Sequence, residues 1–410
     1  MFKLKNEQSF TLVELLIVIG ILTILAVVVI LTLNPAQFFK EVRDSKRMSE
    51  FQTINKALGN YLADGNTSLG LTNKVYVSIP DSSLTCANLG LPSLPTNWEY
   101  RCSNSDNYRK VDSNGWIPVN FTSVSWGSPL PILPIDPINT TSTGQYYTYV
   151  VGGSYKLTAL FESEKYTERA AKDGGVDLAE YEIGTNLSLA PFTHGLVGYW
   201  KFDEGSGTTA SDSSGYGNTG TLSTGASAPG WTTGKVGGAL SFDGVDDYVE
   251  VPDSPSIRNW PDGITVEIWA KSNTENWNSS GMLVSKRDSF ILYPVTDTKA
   301  LYWYIIGTAW WSVAYVIPED IRNWHHYVGT YSADRYLRLY MDGELVASPG
   351  GPYGAIADDT GIMTIGWDDG LAGRYFNGLI DEVRLYNRAL TSEEIKAHFL
   401  GSRVPKARQL

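Results

Sequence analysis

Residues 10–33 read FTLVELLIVIGILTILAVVVILTL. One helix needs about 20 apolar residues to cross a bilayer, and this run supplies them. Its single ionisable residue is Glu14. A carboxylate in hydrocarbon costs about 3 kcal/mol or more and is a functional candidate by default. No Lys or Arg occurs within the run. Cleavage between Ser9 and Phe10 would create a cation. The new α-amino group would lie about one helical turn from Glu14 of its own chain, or opposite the Glu14 of a stacked neighbour. A secretory signal fits less well, because the run is too long and no small-residue cleavage site follows it.

The residues SFTLVELLIVIGIL resemble the N-terminal processing motif of type IV pilins and type II secretion pseudopilins. The resemblance implies that a prepilin peptidase cuts between Ser9 and Phe10 and methylates the new amine. It further implies that Glu14 sets the register of subunits in a filament. Residues 1–9 are then a leader, and 10–65 the pilin N-terminal helix, transmembrane over 10–33. Beyond Asn34-Pro35, FFKEVRDSKRMSEFQTINKALGNYLADG is amphipathic, with Phe51, Ile54, Leu58 and Tyr61 at helical spacing. Asp64-Gly65 supplies the stop. The mixed charges at 40–50 read as a solvated face. One continuous helix is expected.

Residues 66–182 are rich in Gly, Ser, Asn and Pro and carry short strand candidates: KVYVSI (74–79), WIPVNF (116–121), QYYTYVV (145–151) and YKLTALFES (155–163). Gly152-Gly153 joins the last two as a hairpin. A helix followed by a small antiparallel sheet is what the pilin resemblance implies. In some major pseudopilins a loop like LPILPIDPINTT (130–141) binds calcium; only Asp136 stands out here, and calcium is not expected in it. Cys86 and Cys102 are the two cysteines, and in an exported chain they are expected to form one disulfide. Closing that loop is worth about 3 kcal/mol on chain-entropy grounds. Residues 183–195 read as a linker.

From 196 to 400 strand signals recur every 8–15 residues, which predicts an all-β sandwich or jelly roll. In ITVEIWAKS, Ile264, Val266, Ile268 and Ala270 share one face. Asp342-Gly343 marks a type I′ hairpin, and Thr391 with Glu394 forms a capping box on a closing helix. GLVGYWKFDEGSG, DSSGYGNTGTL, GKVGGALSFDGVDDYVEV, WHHYVGTY, LRLYMDGELV and FNGLIDEVRLYNRALTSEEI together resemble the laminin-G-like, concanavalin A-like jelly roll of bacterial surface proteins. The fold class expected is therefore an α+β pilin-like part followed by a concanavalin A-like sandwich, with 401–410 as a tail.

Net charge is −12, and it is localised: residues 196–400 carry 14 Lys/Arg against 26 Asp/Glu, residues 1–195 carry 15 against 18. An acidic module is a poor partner for nucleic acid, which needs a basic face. No catalysis is expected. Laminarinase-type relatives of the sandwich place their acids in an E-x-D-x-x-E strand, and here Leu379 stands two residues before Asp381. Asp381 and Glu382, being adjacent, are expected on opposite faces. The laminin-G resemblance places a calcium site on an early acidic loop and the IDEV strand, which selects Asp203, Asp212, Asn218 and Asp381. The aromatics Trp303, Trp310, Trp311, Tyr302 and Tyr304 divide between core and a sugar-stacking face.

These readings give a single-pass membrane protein whose C-terminal part is extracytoplasmic, in or near a surface filament, with prepilin peptidase, other pilin-like subunits and a glycan or surface ligand as partners. An anchored carbohydrate-active enzyme and a ligand-free spacer are the alternatives. The extra domain favours a minor or tip position. N-terminal sequencing of membrane-extracted protein is expected to begin at Phe10 with a methylated amine. Intact Met1 in cells with an active prepilin peptidase would overturn this.

Overall fold

The computed structural model describes residues 12–401 except 93, 95–97, 171, 172, 176, 179, 188, 190–194, 226, 227, 259, 262, 279, 280, 371 and 372; over 24–33 it describes the backbone alone. Ser9 and Phe10 lie outside the described residues. Two helices replace the single expected one, α1 (Leu12–Leu33) and α2 (Pro35–Ala63), with Glu14 in the first turn of α1. The break is at Asn34, in left-handed conformation (φ 38°), whose side chain accepts the Gln37 N–H and caps α2. Pro35 follows at the first helical position, where no N–H is needed. Among the described residues no helix is long and apolar enough to cross a membrane. The helix stop at Asp64-Gly65 forms as expected, with Gly65 at φ 84°.

In the first globular unit α2 buries Phe51, Ile54, Ala57, Leu58 and Tyr61. They pack on a sheet of β1 (Lys74–Val77), β2 (Glu99–Arg101), β3 (Thr148–Val151), β4 (Tyr155–Leu160) and β5 (Glu180–Gly184). The order is β2-β1-β3-β4-β5, with β1–β2 parallel and the remaining pairs antiparallel. Helix α3 (Glu164–Ala170) lies between β4 and β5 in sequence. Two expectations fail. WIPVNF is a loop, since Pro118 cannot donate to a ladder; it still buries Trp116, Ile117, Val119 and Phe121 completely. The expected linker begins too early, because β5 uses residues 183 and 184 to close the sheet. Cys86 and Cys102 are bonded, with Cα atoms 5.3 Å apart.

The charged stretch at 40–50 is not merely a solvated face. Asp44 and Arg47 are fully buried. Arg47 grips Asp136 with two parallel hydrogen bonds (2.6 and 2.9 Å) and also reaches Asp44 (2.7 Å) and Glu162 (2.6 Å). Arg43 takes Glu162 from the other side. Asp44 in turn accepts the Ser163 N–H and Oγ–H just before α3. Such planar, bidentate pairing is what lets a guanidinium sit in a dry site. Asp136 is thus committed to an arginine.

The second unit contains β6 (Leu196–Trp200), β7 (Thr209–Ala210), β8 (Gly220–Leu222), β9 (Gly230–Thr233), β10 (Gly238–Asp243) and β11 (Val249–Val251). Then come β12 (Gly263–Ser272), β13 (Val284–Lys286), β14 (Phe290–Pro294), β15 (Ala300–Ile306) and β16 (Trp310–Val316). It ends with β17 (His325–Ser332), β18 (Leu337–Met341), β19 (Glu344–Ala347), β20 (Met363–Ile365), β21 (Asn377–Tyr386) and α4 (Ser392–Gly401). The first sheet runs β19-β18-β17-β12-β21-β10-β9, with β6 also on β21. The second runs β16-β15-β14-β13-β20-β11-β8-β7. Between them lies one core that takes Ile264, Val266, Ile268 and Ala270, the predicted face of β12. The hairpin at Asp342-Gly343 has both residues at positive φ. The capping box closes α4, Glu394 N–H to Thr391 Oγ1 and Thr391 N–H to Glu394.

The two units touch. Lys396 of α4 pairs with Glu164 at 3.1 Å, and Leu178 packs on Ala397. In the first unit Glu182 is buried with Lys156, whose ammonium meets it at 2.7 Å, and the half-buried Asp173 accepts the Glu182 N–H at 2.6 Å. Burial raises the Asp173 carboxyl to about 7 against the Glu182 and Gly175 N–H donors and Lys156, and raises that of Glu182 to about 8 against Lys156, with neighbouring acids adding to both. Both folded values exceed the ordinary unfolded carboxylate range, so the stability they contribute is complete below about pH 4 and is lost as pH rises through 7 to 8. The melting temperature is expected to fall between pH 5.5 and 8.5. In Glu182→Gln the fall should be smaller; an unchanged slope would refute the linkage.

Candidate functional site

On the second sheet the residues that alternate with the core point outward. Leu301, Trp303 and Ile305 are core, and Trp303 Nε1 donates to the Thr330 carbonyl at 3.0 Å. Tyr302 and Tyr304 therefore face out, with rings 5.6 Å apart and 13° from parallel. Tyr293 of β14 lies 6.2 Å from each, and Trp310 meets Tyr304 edge-on at 6.0 Å. Trp310 is 52% exposed. The result is an aromatic row across β14, β15 and β16.

Two guanidiniums flank the row. Arg287 lies over Trp310 (5.5 Å) and Arg374 over Tyr293 (5.8 Å). Both pair with Asp368, which is completely buried. Each arginine is thus positioned by a carboxylate beneath it while its face meets a ring, a cation–π arrangement worth about 0.5–2 kcal/mol. Aromatic faces beside fixed donors and acceptors suit a ligand with both apolar and hydroxyl surface. The alternation WYI in β15 divides the aromatics as the sequence suggests; Tyr293, Arg287 and Arg374 are added by strand pairing and a loop, which no local pattern reports.

The outward face of β12 is covered instead of solvated. Glu267 is fully buried beneath α4, bonded to Arg384 (3.0 Å), His326 (3.1 Å) and His398 (2.6 Å). Burial alone would raise its carboxyl; His398, Arg384 and His326 outweigh that and hold it well below the usual range. Arg384 also contacts Glu382 and the Tyr199 hydroxyl, the latter at 2.7 Å. Asp381 and Glu382 do not point to opposite faces. Glu382 has φ 53° and the β12–β21 register slips between Glu267 and Trp269, a bulge that turns both acids away from the core. Ile380 and Val383 on either side enter the core. Asp381, Glu382 and Glu267 are each at most 3% exposed, which places them out of a substrate's reach.

The four residues expected around calcium fall into two pairs. Asp212 accepts hydrogen bonds from the N–H groups of Tyr199, Ser214 and Asn218 and from the Ser214 hydroxyl. Asn218 bonds the Val197 carbonyl, Ser254 and Ser256. These are the self-satisfied contacts of a tight loop. Asp203 and Asp381 instead flank the Gly234–Gly237 turn, where Gly238 N–H donates to Asp203 (2.7 Å) and Val236 N–H to Asp381 (2.9 Å). A Cβ at Gly237 would lie 2.1 Å from Asp203, so the approach requires glycine. Asp381 Oδ1 is buried with no hydrogen-bond partner. Burial, then Glu382 and Asp203, push that carboxyl up to about 9. Among the described residues the carboxylates that converge within 4.8 Å are a different set, Asp243, Asp246 and Asp247.

Among curated proteins none matches this chain. Similar solved structures include the binding domain of paraclostridial mosquitocidal protein 1 (16% identity, TM-score 0.42, covering 50% of this chain and 52% of that one). Domain 4 of AbnA, an extracellular arabinanase from Geobacillus stearothermophilus solved with arabinotriose, is another (20%, 0.39, covering 49% and 97%). A third is the receptor-binding domain of botulinum neurotoxin mosaic serotype C/D (15%, 0.41, covering 51% of each). The chain thus spans about half the length of the two toxin domains. The prokaryotic N-terminal methylation motif matches residues 4–30, and the concanavalin A-like lectin/glucanases superfamily matches residues 243–396. The chain is a fusion of a pilin-type N-terminal methylation region with a concanavalin A-like, laminin-G-type domain.

Proposed function

We propose that the protein is a membrane-anchored, pilin-type subunit that displays a carbohydrate-binding sandwich outside the cell. The methylation motif and the apolar run at 10–33 support the anchor, with prepilin peptidase and other pilin-like subunits as partners. At the start of α2, Phe38, Phe39 and Val42 are more than half exposed, an apolar face suited to neighbouring subunits or lipid. The observation that carries the binding role is the aromatic row Tyr293, Tyr302, Tyr304 and Trp310 with its two arginines. A glycan array probed with the full chain in detergent should give saturable binding. Tyr302→Ala with Tyr304→Ala is expected to weaken it by about tenfold, equivalent to about 1.4 kcal/mol, with the sandwich still folded. Turnover of a glycan would favour the enzyme alternative, and no binding the spacer.

Calcium, in this reading, takes Asp203 and Asp381 without Asp212 and Asn218, with backbone carbonyls and water completing its roughly six to eight oxygens. Binding must displace the proton that burial holds on Asp381, so affinity should rise with pH. At a hundredfold excess over Kd the gain is about 2.7 kcal/mol, or roughly 5–10 °C in melting temperature for a domain of this size. The shift should be larger at pH 8 than at pH 6 and absent in Asp381→Asn. A melting temperature insensitive to millimolar calcium at both pH values would end the proposal.

A further inference from the structure

Strand β16 ends its sheet, hydrogen-bonded to β15 through seven consecutive register pairs with no bulge. Sheet edges are commonly blunted by charge, proline, bulges or shortness, because an open row of N–H and C=O groups templates further pairing. The other sandwich edges show such devices: β7 has two residues, β9 has four, and β19 has four including Glu344. By contrast β16 has seven, WWSVAYV. No Asp, Glu, Lys or Arg occurs between Lys299 and Glu319, in a module that is otherwise strongly acidic.

The side chains of this edge are arranged symmetrically. Val313 faces the core. Trp310 and Val316, at equal distance on either side, are exposed by 52% and 69% and lie on the outer face with Ser312 and Ala314. We propose that β16 is a self-association edge, and that its occupant is β16 of a second copy, antiparallel about a two-fold axis at Val313. In that register Trp310 meets Val316 of the other copy, Ser312 meets Ala314, and each exposed apolar side chain covers the other. A second copy suits the edge because two acidic modules repel least where the pairing strand itself carries no charge. The two outer faces then lie on one side of a continuous sheet. Their aromatic rows abut, which doubles whatever that face binds and raises its avidity.

The test is oxidative cross-linking of the full chain in detergent micelles. The double variant Ser312→Cys/Ala314→Cys should give a covalent dimer on a non-reducing gel, because each cysteine lies opposite its counterpart. A pair of exposed positions on another edge, Glu344→Cys/Leu345→Cys, reports association driven by the N-terminal helix alone and should give little dimer. Adding Val316→Lys to the first pair should lower the dimer yield by about tenfold, since a lysine on an edge blocks pairing. All variants should melt like the parent. The proposal is overturned if the β16 pair stays monomeric with titratable thiols, if the β19 pair cross-links equally, or if Val316→Lys leaves the yield unchanged. It does not depend on glycan binding, which Tyr302 and Tyr304 test separately.

Discussion

A single guanidinium in a dry site organises the first half of the molecule. Arg47 is enclosed by Asp44, Asp136 and Glu162, residues that belong to the helix itself, to the 130–141 loop and to the segment entering α3. Removing one partner from such a site leaves charge buried without its complement, which typically costs about 3–5 kcal/mol. The contact therefore fixes how the loop and α3 sit on α2. From α3 the chain of contacts continues to α4, and from α4 through His398 to Glu267 and Arg384 in the sandwich. The two units are joined by the half-exposed Lys396–Glu164 pair and the Leu178–Ala397 packing as well as by the chain between them.

Much of this was legible in the residues. The apolar spacing of Phe51, Ile54, Leu58 and Tyr61 named the buried face of α2, and alternation named the core face of β12. The hairpin at Asp342-Gly343 and the capping box at Thr391 were visible because turn and cap chemistry is local. What was not legible depended on distant partners. Asp44 and Arg47 looked like solvated helix charges, since the acids that accept Arg47 lie 89 and 115 residues away. Glu267 looked like the polar face of an amphipathic strand, because nothing in ITVEIWAKS announces that α4 will cover it. The bulge at Glu382 reversed a facing argument that holds only for regular strands.

The aromatic face follows the same division. Parity along β15 separated Trp303 from Tyr302 and Tyr304, as the sequence suggested. The arginines that complete the face arrive from β13's end and from the loop before β21, positioned through Asp368. A surface assembled across strands is visible in any one strand only as an excess of outward aromatics.

The α3–α4 contact has a mechanical meaning. Under the proposed function, tension on the second unit would run to the first unit through this contact and the chain between them. The pair Lys396–Glu164 and the Leu178–Ala397 packing form a non-covalent clasp in parallel with the covalent chain between the units. Once it opens, only the chain from 185 to 195 holds the units together, and 11 residues span at most roughly 36–40 Å. A longer path of that kind spreads a sudden tug over distance and lowers the peak force on the second unit. The clasp can re-form when tension falls, because no covalent bond has been broken.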